Sequence, residues 1–461
     1  MRRIFAVALG PAAAVALWFS PISPDPLIAH ALAITVFMVA YWIFEPIEHG
    51  VTGLIGCYLF WALGVAKFDV AFSGFADSTP WFLFGAVLMG EAASKSGLAA
   101  RIGRIGMGVA GTSYGGLLLS VIVLVLLLNF LVPSGMAQLA ILAPMVMGIV
   151  KAFGLEKGSR TGRGLFVILT YSCGLFNKMI LAGGATVLAR GLAERITGQA
   201  IPWSTYFIAY LPAIVVTVAA SWLTVMWLYP PERRRIVADT TIQPKAARLS
   251  WSTAEKKTAI VLGLALALWA TDFAHHIDPA VIALGAGLAV ALPGIGVLTT
   301  KDIRGVNFLL TVFLGAALSM GTVLIQTKAL NLLTGAMVSW MTPYLSGALF
   351  GPSVLYWAGF LYHFLLGSEL SMLSTSLPVM IGYANQHGLN PQAVAMVLAF
   401  SSGGKLFVYQ SSVLVQGLSY GYFDSRDMLK VGLVLSIVEG LVLLVLAPLY
   451  WPLVGVSWTA R

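Results

Sequence analysis

Long apolar stretches separated by short polar punctuation set the pattern of this chain. Runs of membrane length fall near 4–19, 28–44, 51–66, 78–94, 205–228, 258–271, 279–296, 307–325 and 430–450, and about 20 apolar residues in a row are what a helix needs to cross the hydrocarbon. The runs are continuous rather than alternating, so they predict helices and exclude an outer-membrane β-barrel. The first run follows Met1-Arg2-Arg3 and ends at Trp18-Phe19-Ser20-Pro21. That is a poor small-residue cleavage site, so the run reads as a first membrane helix and not a signal peptide. Two further regions, 116–198 and 353–423, are apolar but interrupted. In the first, two arms of about 15 residues flank Pro133-Ser134-Gly135, each too short for a full span.

Composition supports the same class. Of 461 residues, 59% are hydrophobic and only 10% charged, against roughly 25% charged in soluble domains. A soluble enzyme, a disordered chain and a nucleic-acid binder are thereby excluded. The net charge of +9 reports cytoplasmic loops, because Lys and Arg gather on that side of a membrane. With the N-terminus cytoplasmic and the C-terminus outside, most of the 27 Lys and Arg residues fall inside. Lys67, Arg190, Arg195, Lys328 and Arg461 fall outside, and Lys178 and Lys405 lie at membrane depth. This arrangement closes only if 116–150 enters and leaves on one side, as a re-entrant hairpin with its tip at Ser134. Backbone left unpaired at such a tip survives only in protein or beside a polar cavity, which makes the tip a candidate site. Cys57 and Cys173 are far apart in apolar runs, so no disulfide framework is expected. No CxxC, HExxH or paired-His spacing occurs, so no metal centre or other cofactor is expected. Trp203, Tyr206, Trp227, Tyr229, Tyr450 and Trp451, near span ends, read as interface anchors. Glu91 and Lys95, four apart on one helical face, are expected to pair.

The chain repeats itself. VPSGMAQLAILAP from Val132 lies over LGSELSMLSTSLP from Leu366, so that Ser134 matches Ser368 and Pro144 matches Pro378. Farther on, LTYSCG at 169–174 lies over LAFSSG at 398–403, and FGAVLMGEAASKSGL at 84–98 loosely echoes LGAALSMGTVLIQTKAL at 314–330. The charge-derived topology turns the second half upside down. An inverted repeat with helices broken at the midplane is the signature of secondary transporters. The fold expected is an all-α polytopic membrane protein of about 11 spans with two re-entrant hairpins.

Over most of its length the sequence resembles the divalent anion–sodium symporter family. The resemblance is carried by STPWFLFGAVLMGEAASKSGL (78–98), VPSGMAQLAILAP (132–144) and HFLLGSELSMLSTSLP (363–378). FSSG (400–403), YFDSRDMLKVGLVLSIVEG (422–440) and PLYWPLVGV (448–456) continue it. It implies a homodimer in the cytoplasmic (inner) membrane with an elevator arrangement. In that arrangement 1–115 and 258–350 are scaffold, 116–229 and 351–461 form the moving transport domain, and 230–257 is a cytoplasmic linker. It also implies sodium as a coupling ion, bound by Ser-Asn-Thr at each tip. Here the tips read Ser134-Gly135-Met136 and Ser368-Glu369-Leu370. The serines carry over and the Asn and Thr do not.

Candidate chemistry gathers at the breaks. Lys178 follows TYSCGLFN and Lys405 follows FSSGG. A charge at the bilayer centre costs about 2.5–3.5 kcal/mol on insertion scales, so each lysine needs a partner. Three readings stand together: the lysines bind the acidic groups of a dianion, they form structural pairs such as Lys405 with Glu369, or one replaces a lost sodium as a fixed cation. Glu369 reads equally as a proton carrier or as half of a salt bridge. The expected substrate set is Ser134, Gly135, Asn177, Lys178, Ser368, Lys405, Gln410, Ser411 and Ser412. Ser134, Ser368 and Glu369 are the expected coupling-ion or proton positions. Tyr409 lies in the same break, while His363 and Glu439 read as structural or weaker. A secondary transporter of small organic dianions, coupled to sodium, protons or anion exchange, is the expected function. A sulfate or sulfonate carrier on the same fold is the alternative. A membrane enzyme acting on lipid-linked substrates is the alternative of another class, and it is disfavoured because the polar residues cluster at two mid-membrane breaks rather than at a membrane surface. The partners expected are a small anionic substrate and membrane lipid, with no nucleic acid.

Overall fold

The computed structural model describes the chain except Met1, Glu45, 110–112, Pro133, 153–154, Ala182, 233–249, 333–340, 365–368 and Arg461. Ser368 and most of the expected linker lie outside the described residues. Among those described there is no strand; a lone bridge joins Leu389 and Thr459.

Eighteen helices of eight or more residues carry the described fold. The first half runs α1 Arg2–Trp18, α2 Pro26–Phe44, α3 His49–Ala62, α4 Ser78–Lys95, α5 Leu98–Val109, α6 Tyr114–Asn129, α7 Gly135–Ala152, α8 Arg160–Leu175, α9 Gly184–Thr197 and α10 Trp203–Leu228. The second runs α11 Thr253–Ala270, α12 Pro279–Ala289, α13 Phe308–Gln326, α14 Gly351–His363, α15 Glu369–Gln386, α16 Pro391–Ser401, α17 Ser412–Ser419 and α18 Ser425–Val445. Among the described residues, four helices are long and apolar enough to cross a membrane by length and composition: α2, α10, α13 and α18, the last prolonged to Val454. Short helices flank the two interruptions foreseen from sequence. A helix of 16 residues, such as α6, is about 24 Å long, below the roughly 30 Å of the hydrocarbon.

Local chemistry sets these ends. Asn390 accepts from the Gln392 N–H ahead of Pro391, and Asp424 accepts from the N–H groups of Arg426 and Asp427 to open α18. Gly198 adopts φ 68° and closes α9, a conformation that costs a glycine little. The Glu232 carboxylate, just beyond α10, receives the Thr161 N–H at 3.1 Å and its hydroxyl at 2.6 Å, together with the Arg160 N–H. It thereby satisfies the free donors at the start of α8.

Packing follows from which helices are apolar all round. From Thr161 to Leu175 all but Arg163 of α8 is buried, as is α16 from Ala393 to Ser401. These two helices form the centre. By contrast α10, α11 and α18 present Val215, Leu223, Ile260, Leu264, Leu441 and Val445 outward, as lipid-facing helices do. One group is built on α1, α2, α3 and α13, with α4 against α12 and α13. In the other, the two halves exchange parts. The fragment α9 packs on α15 and α16 of the second half, while α17 packs on α7 and α8 of the first.

Two expectations are corrected. Lys95 does not pair with Glu91; its ammonium lies 2.5 Å from Asp302, which also caps the turn begun at Thr299 and sits within reach across the bundle. Of the supposed interface anchors, Trp227 is exposed, but Trp203, Tyr206, Tyr229 and Trp451 are buried. Their polar tips serve the interior: the Trp203 Nε1–H donates to Leu181 O at 3.1 Å and the Trp451 Nε1–H to Ala209 O at 3.0 Å. On the side assigned to the cytoplasm, Arg101 grips Glu255 with two bonds of 2.9 and 2.8 Å. The guanidinium holds the Glu255 carboxyl down to about 2, so this clamp contributes fully above the ordinary value of 4.5 and is lost as pH falls from there toward about 2.

The α4–α12 crossing rests on small residues, as membrane helix contacts commonly do. A Cβ on Gly85 would collide with the Ala283 and Leu284 backbone, whereas one on Gly263 of α11 would meet nothing within 4 Å. Gly85→Leu is expected to destabilise the protein by about 1–3 kcal/mol or more. Gly263→Leu is expected to leave stability unchanged. Thermal melting of both variants in detergent checks this.

Candidate functional site

The two breaks meet at the centre. After α8 the chain makes a tight turn through Phe176–Lys178 before restarting at α9; after α16 it runs irregularly from Ser402 to Phe407 before a turn at Val408–Gln410 and α17. Each lysine lies against the glycine of the other break. A Cβ on Gly403 would overlap the Lys178 side chain, and one on Gly174 would sit 3.5 Å from the Lys405 ammonium. Gly174 and Gly403 are the matching positions of the LTYSCG and LAFSSG segments. Each lysine thus lies beside the glycine of the other half's break, and at Gly403 the missing side chain leaves the gap that Lys178 fills.

Both lysines have carboxylate partners. Lys178 Nζ is 2.5 Å from Glu439 Oε2, and the two side chains are only 3% and 1% exposed. The same Oε2 lies 3.4 Å from the Tyr356 hydroxyl, which itself donates to Ser436 O at 2.9 Å. The Phe400 ring faces the Lys178 ammonium at 4.5 Å, a cation–π contact. Glu439 Oε1 has no partner among the described residues. Lys405 Nζ is 2.7 Å from Glu369 Oε2; the lysine is 5% exposed but the carboxylate side chain is 29% exposed. One pair is sealed and the other is open on its acidic side. Each lysine is within electrostatic reach of the other and of both carboxylates.

Tyrosines hold the backbone of the breaks. The Tyr206 hydroxyl donates to Lys178 O at 2.9 Å, and the Tyr171 hydroxyl lies 2.5 Å from Met428 O and 3.2 Å from Lys405 O. Gln410 Oε1 accepts from the N–H groups of Leu406 and Phe407, both at 2.8 Å, while its Nε2 has no partner among the described residues.

The segments around Gly135 and Glu369 each contact the break of their own half and a helix start of the other. Gly135 sits so close to Cys173 O and to Val413, next to Ser412, that a side chain there would clash. The Asn177 amide donates to the same Cys173 oxygen at 3.2 Å. Ser134 accepts from the Ala137 N–H at 3.3 Å, opening α7. On the other side, Gly184 at the start of α9 faces Leu370. Tip, break and the helix start of the opposite half thus adjoin twice, once around Gly135 and once around Glu369. Ser411 and Ser412 lie at the start of α17, Ser411 half-buried and Ser412 exposed.

A family model described as "Sodium:sulfate symporter transmembrane region" matches residues 3–457. The chain belongs to this divalent anion–sodium symporter family. Its relatives include a putative malate transporter, YflS, of Bacillus subtilis, 28% identical over 95% of this chain and 94% of that protein. The citrate/succinate antiporter of Escherichia coli K12 is 25% identical over 97% of each chain. Dicarboxylate transporter 2.2 of Arabidopsis thaliana chloroplasts is 26% identical over 92% of this chain and 79% of that one. The fold resembles that of the YdaH transporter of Alcanivorax borkumensis, with TM-score 0.59, 18% identity and coverage of 86% and 89%. It also resembles MtrF of Neisseria gonorrhoeae, with TM-score 0.57, 13% identity and coverage of 93% and 96%.

The family membership agrees with the resemblance read from the sequence. Glu439 was underrated there, although a carboxylate inside the last apolar run is the kind of residue that marks a partner at membrane depth. Tyr356 gave no such signal, because a tyrosine in an apolar arm looks like any other.

Breaking a buried pair by removing one member leaves an uncompensated charge, costing about 3–5 kcal/mol. Lys178→Met and Glu439→Leu are each expected to lower stability by about that much, and the double variant to recover most of it. Melting curves for the two single variants and the double variant check this as a cycle.

Proposed function

We propose that this protein is a secondary active transporter of small organic dianions, di- and tricarboxylates, across the cytoplasmic membrane. The observation that carries the reading is the reciprocal seating of Lys178 and Lys405, one cation from each half, beside the interrupted backbone where the two tips arrive. Two ammonium groups on opposite sides of a centre match a molecule with an acid at each end. Helix starts at α9 and α17 add N–H groups that favour anions. The relatives named as malate, dicarboxylate and citrate/succinate transporters support a carboxylate.

In this reading the substrate lies among Ser134, Gly135, Asn177, Lys178, Ser368, Lys405, Gln410, Ser411 and Ser412. The short helices α6–α7 and α14–α15 are re-entrant hairpins of an inverted repeat. Residues 116–229 and 351–461 move as the transport domain against a scaffold of 1–115 and 258–350, in a homodimer, with 230–257 as the cytoplasmic connection. The N-terminus is cytoplasmic and the C-terminus outside. Gly135-Met136 and Glu369-Leu370 offer no Asn or Thr oxygens for sodium, while the lysines already provide positive charge. The coupling we favour is therefore to protons or to a counter-anion.

Uptake of labelled succinate into proteoliposomes tests this, with and without an inward sodium gradient and with and without internal dicarboxylate. Wild type is expected to accumulate succinate without sodium. Lys405→Ala is expected to lose at least about tenfold of the rate, equivalent to about 1.4 kcal/mol, while staying folded because Glu369 can be solvated. Normal uptake by both Lys405→Ala and Lys178→Ala would refute the anion site. Uptake of sulfate in place of any carboxylate would move the assignment to an inorganic anion carrier.

A further inference from the structure

The formal charges at the centre sum to zero. Lys178, Lys405, Glu369 and Glu439 are two cations and two anions, and 365–368, Pro133 and Ala182 add no charge by sequence. An empty carrier is thus neutral there, whereas a bound dianion brings two negative charges beside two carboxylates already present. Charge left uncompensated in a low-dielectric interior is disfavoured, so loading favours neutralising a carboxylate, which cuts the excess from two negative charges to one. Glu439 is sealed against Lys178 and Tyr356. Glu369 is not: it is the partly exposed member, at the first position of α15, where the tip faces the break.

Resting on the anion-site reading above, we infer that Glu369 holds the substrate's place on Lys405 while the carrier is empty, and takes up one proton as a substrate carboxylate replaces it. The Lys405 ammonium's hydrogen bond to Glu369 Oε2 breaks, a bond from the same ammonium to the substrate carboxylate forms, and a proton from solvent adds to the freed Glu369 carboxylate. Release on the other face reverses all three changes, so a proton travels with each anion.

The groups facing Glu369 are few. Lys405 comes from the break after α16, His363 from the end of α14 and Lys178 from the break after α8, while Glu439 is held on Lys178. From α3, His49 Nε2 reaches the Ser371 hydroxyl at 2.9 Å, two residues along α15. His363 is the rival proton acceptor, being wholly buried with neither ring nitrogen hydrogen-bonded among the described residues.

The test uses purified full-length protein in weak buffer with a pH-indicator dye. Succinate, citrate and sulfate are added separately, and binding is scored independently as protection against heat. Wild type is expected to take up close to one proton per bound anion, with affinity weakening by up to about tenfold per pH unit between about pH 6.5 and 8. Glu369→Gln is expected to take up none, to bind several-fold more tightly at the upper pH and to lose that pH dependence. Glu369→Asp, which keeps the acid, is expected to retain proton uptake and serves if the Gln variant does not fold. Binding by wild type without proton uptake overturns the inference. So does wild-type proton uptake by Glu369→Gln, its loss in Glu369→Asp, or its loss in His363→Asn with Glu369→Gln unaffected. Proton-linked binding of sulfate alone would keep the Glu369 assignment and overturn the carboxylate reading. Protection by none of the three would overturn both.

Discussion

Two ammonium groups far from bulk water are the constraint around which this fold is organised. An unpaired charge at that depth is costly, so each lysine fixes the position of at least one other element. Lys178 ties the turn after α8 to Glu439 of α18 and, through Tyr356, to α14. Lys405 ties the break after α16 to the start of α15. Gly403 leaves the volume that the Lys178 side chain occupies, and Gly174 adjoins the Lys405 ammonium. The halves cannot separate without stranding charge.

The same charges explain why the breaks are tolerated. Helix ends inside a membrane expose N–H and C=O groups that must find partners within the protein. Here Tyr206 and Tyr171 reach the carbonyls of the two lysine residues, Gln410 accepts from Leu406 and Phe407, and Asn177 donates to Cys173. Two of these groups, Tyr206 and Tyr171, come from neighbouring helices, and two, Gln410 and Asn177, from the breaks themselves.

What could be read from the sequence follows from the range of the signal. Apolar runs report a helix's own length and environment, so α2, α4, α10, α13 and α18 were legible, as were the interruptions near Ser134, Gly174 and Gly403. The charge rule singled out Lys178 and Lys405 for the same reason. Partnership was less legible. The pairing of Lys405 with Glu369, 36 residues away, was one of several readings, and that of Lys178 with Glu439, 261 residues away, was not foreseen. Lys95 shows the converse error: the helical spacing to Glu91 was right, but Asp302 lies nearer in space. Trp203, Tyr206 and Trp451 were misread because a span end buried by a neighbour has the same sequence as one that meets lipid headgroups.

The distribution of ion pairs suits a protein whose parts slide. Pairs linking 116–229 to the proposed scaffold are polar and partly exposed: Arg195 with Asp77 at 3.2 Å, and Arg190 with Asp278 at 3.3 Å, where Asp278 is 40% exposed. A pair as open as Arg195–Asp77 contributes about 0–1 kcal/mol, whereas the Arg190 guanidinium is itself buried and also held by Glu194 at 2.8 Å. Lys178–Glu439 lies wholly within the proposed moving unit, where separation would strand both charges and is never required. The same boundary also carries a buried contact, the Asp272 carboxylate accepting from the Trp203 N–H at 2.6 Å and the Ser204 N–H at 3.3 Å, so the proposed transport domain can slide only if the start of α10 exchanges that partner. Within the proposed moving unit Lys178–Glu439 is sealed and Lys405–Glu369 is open on its acidic side, so the proposed anion site has one ammonium that can exchange its partner and one that is held in place.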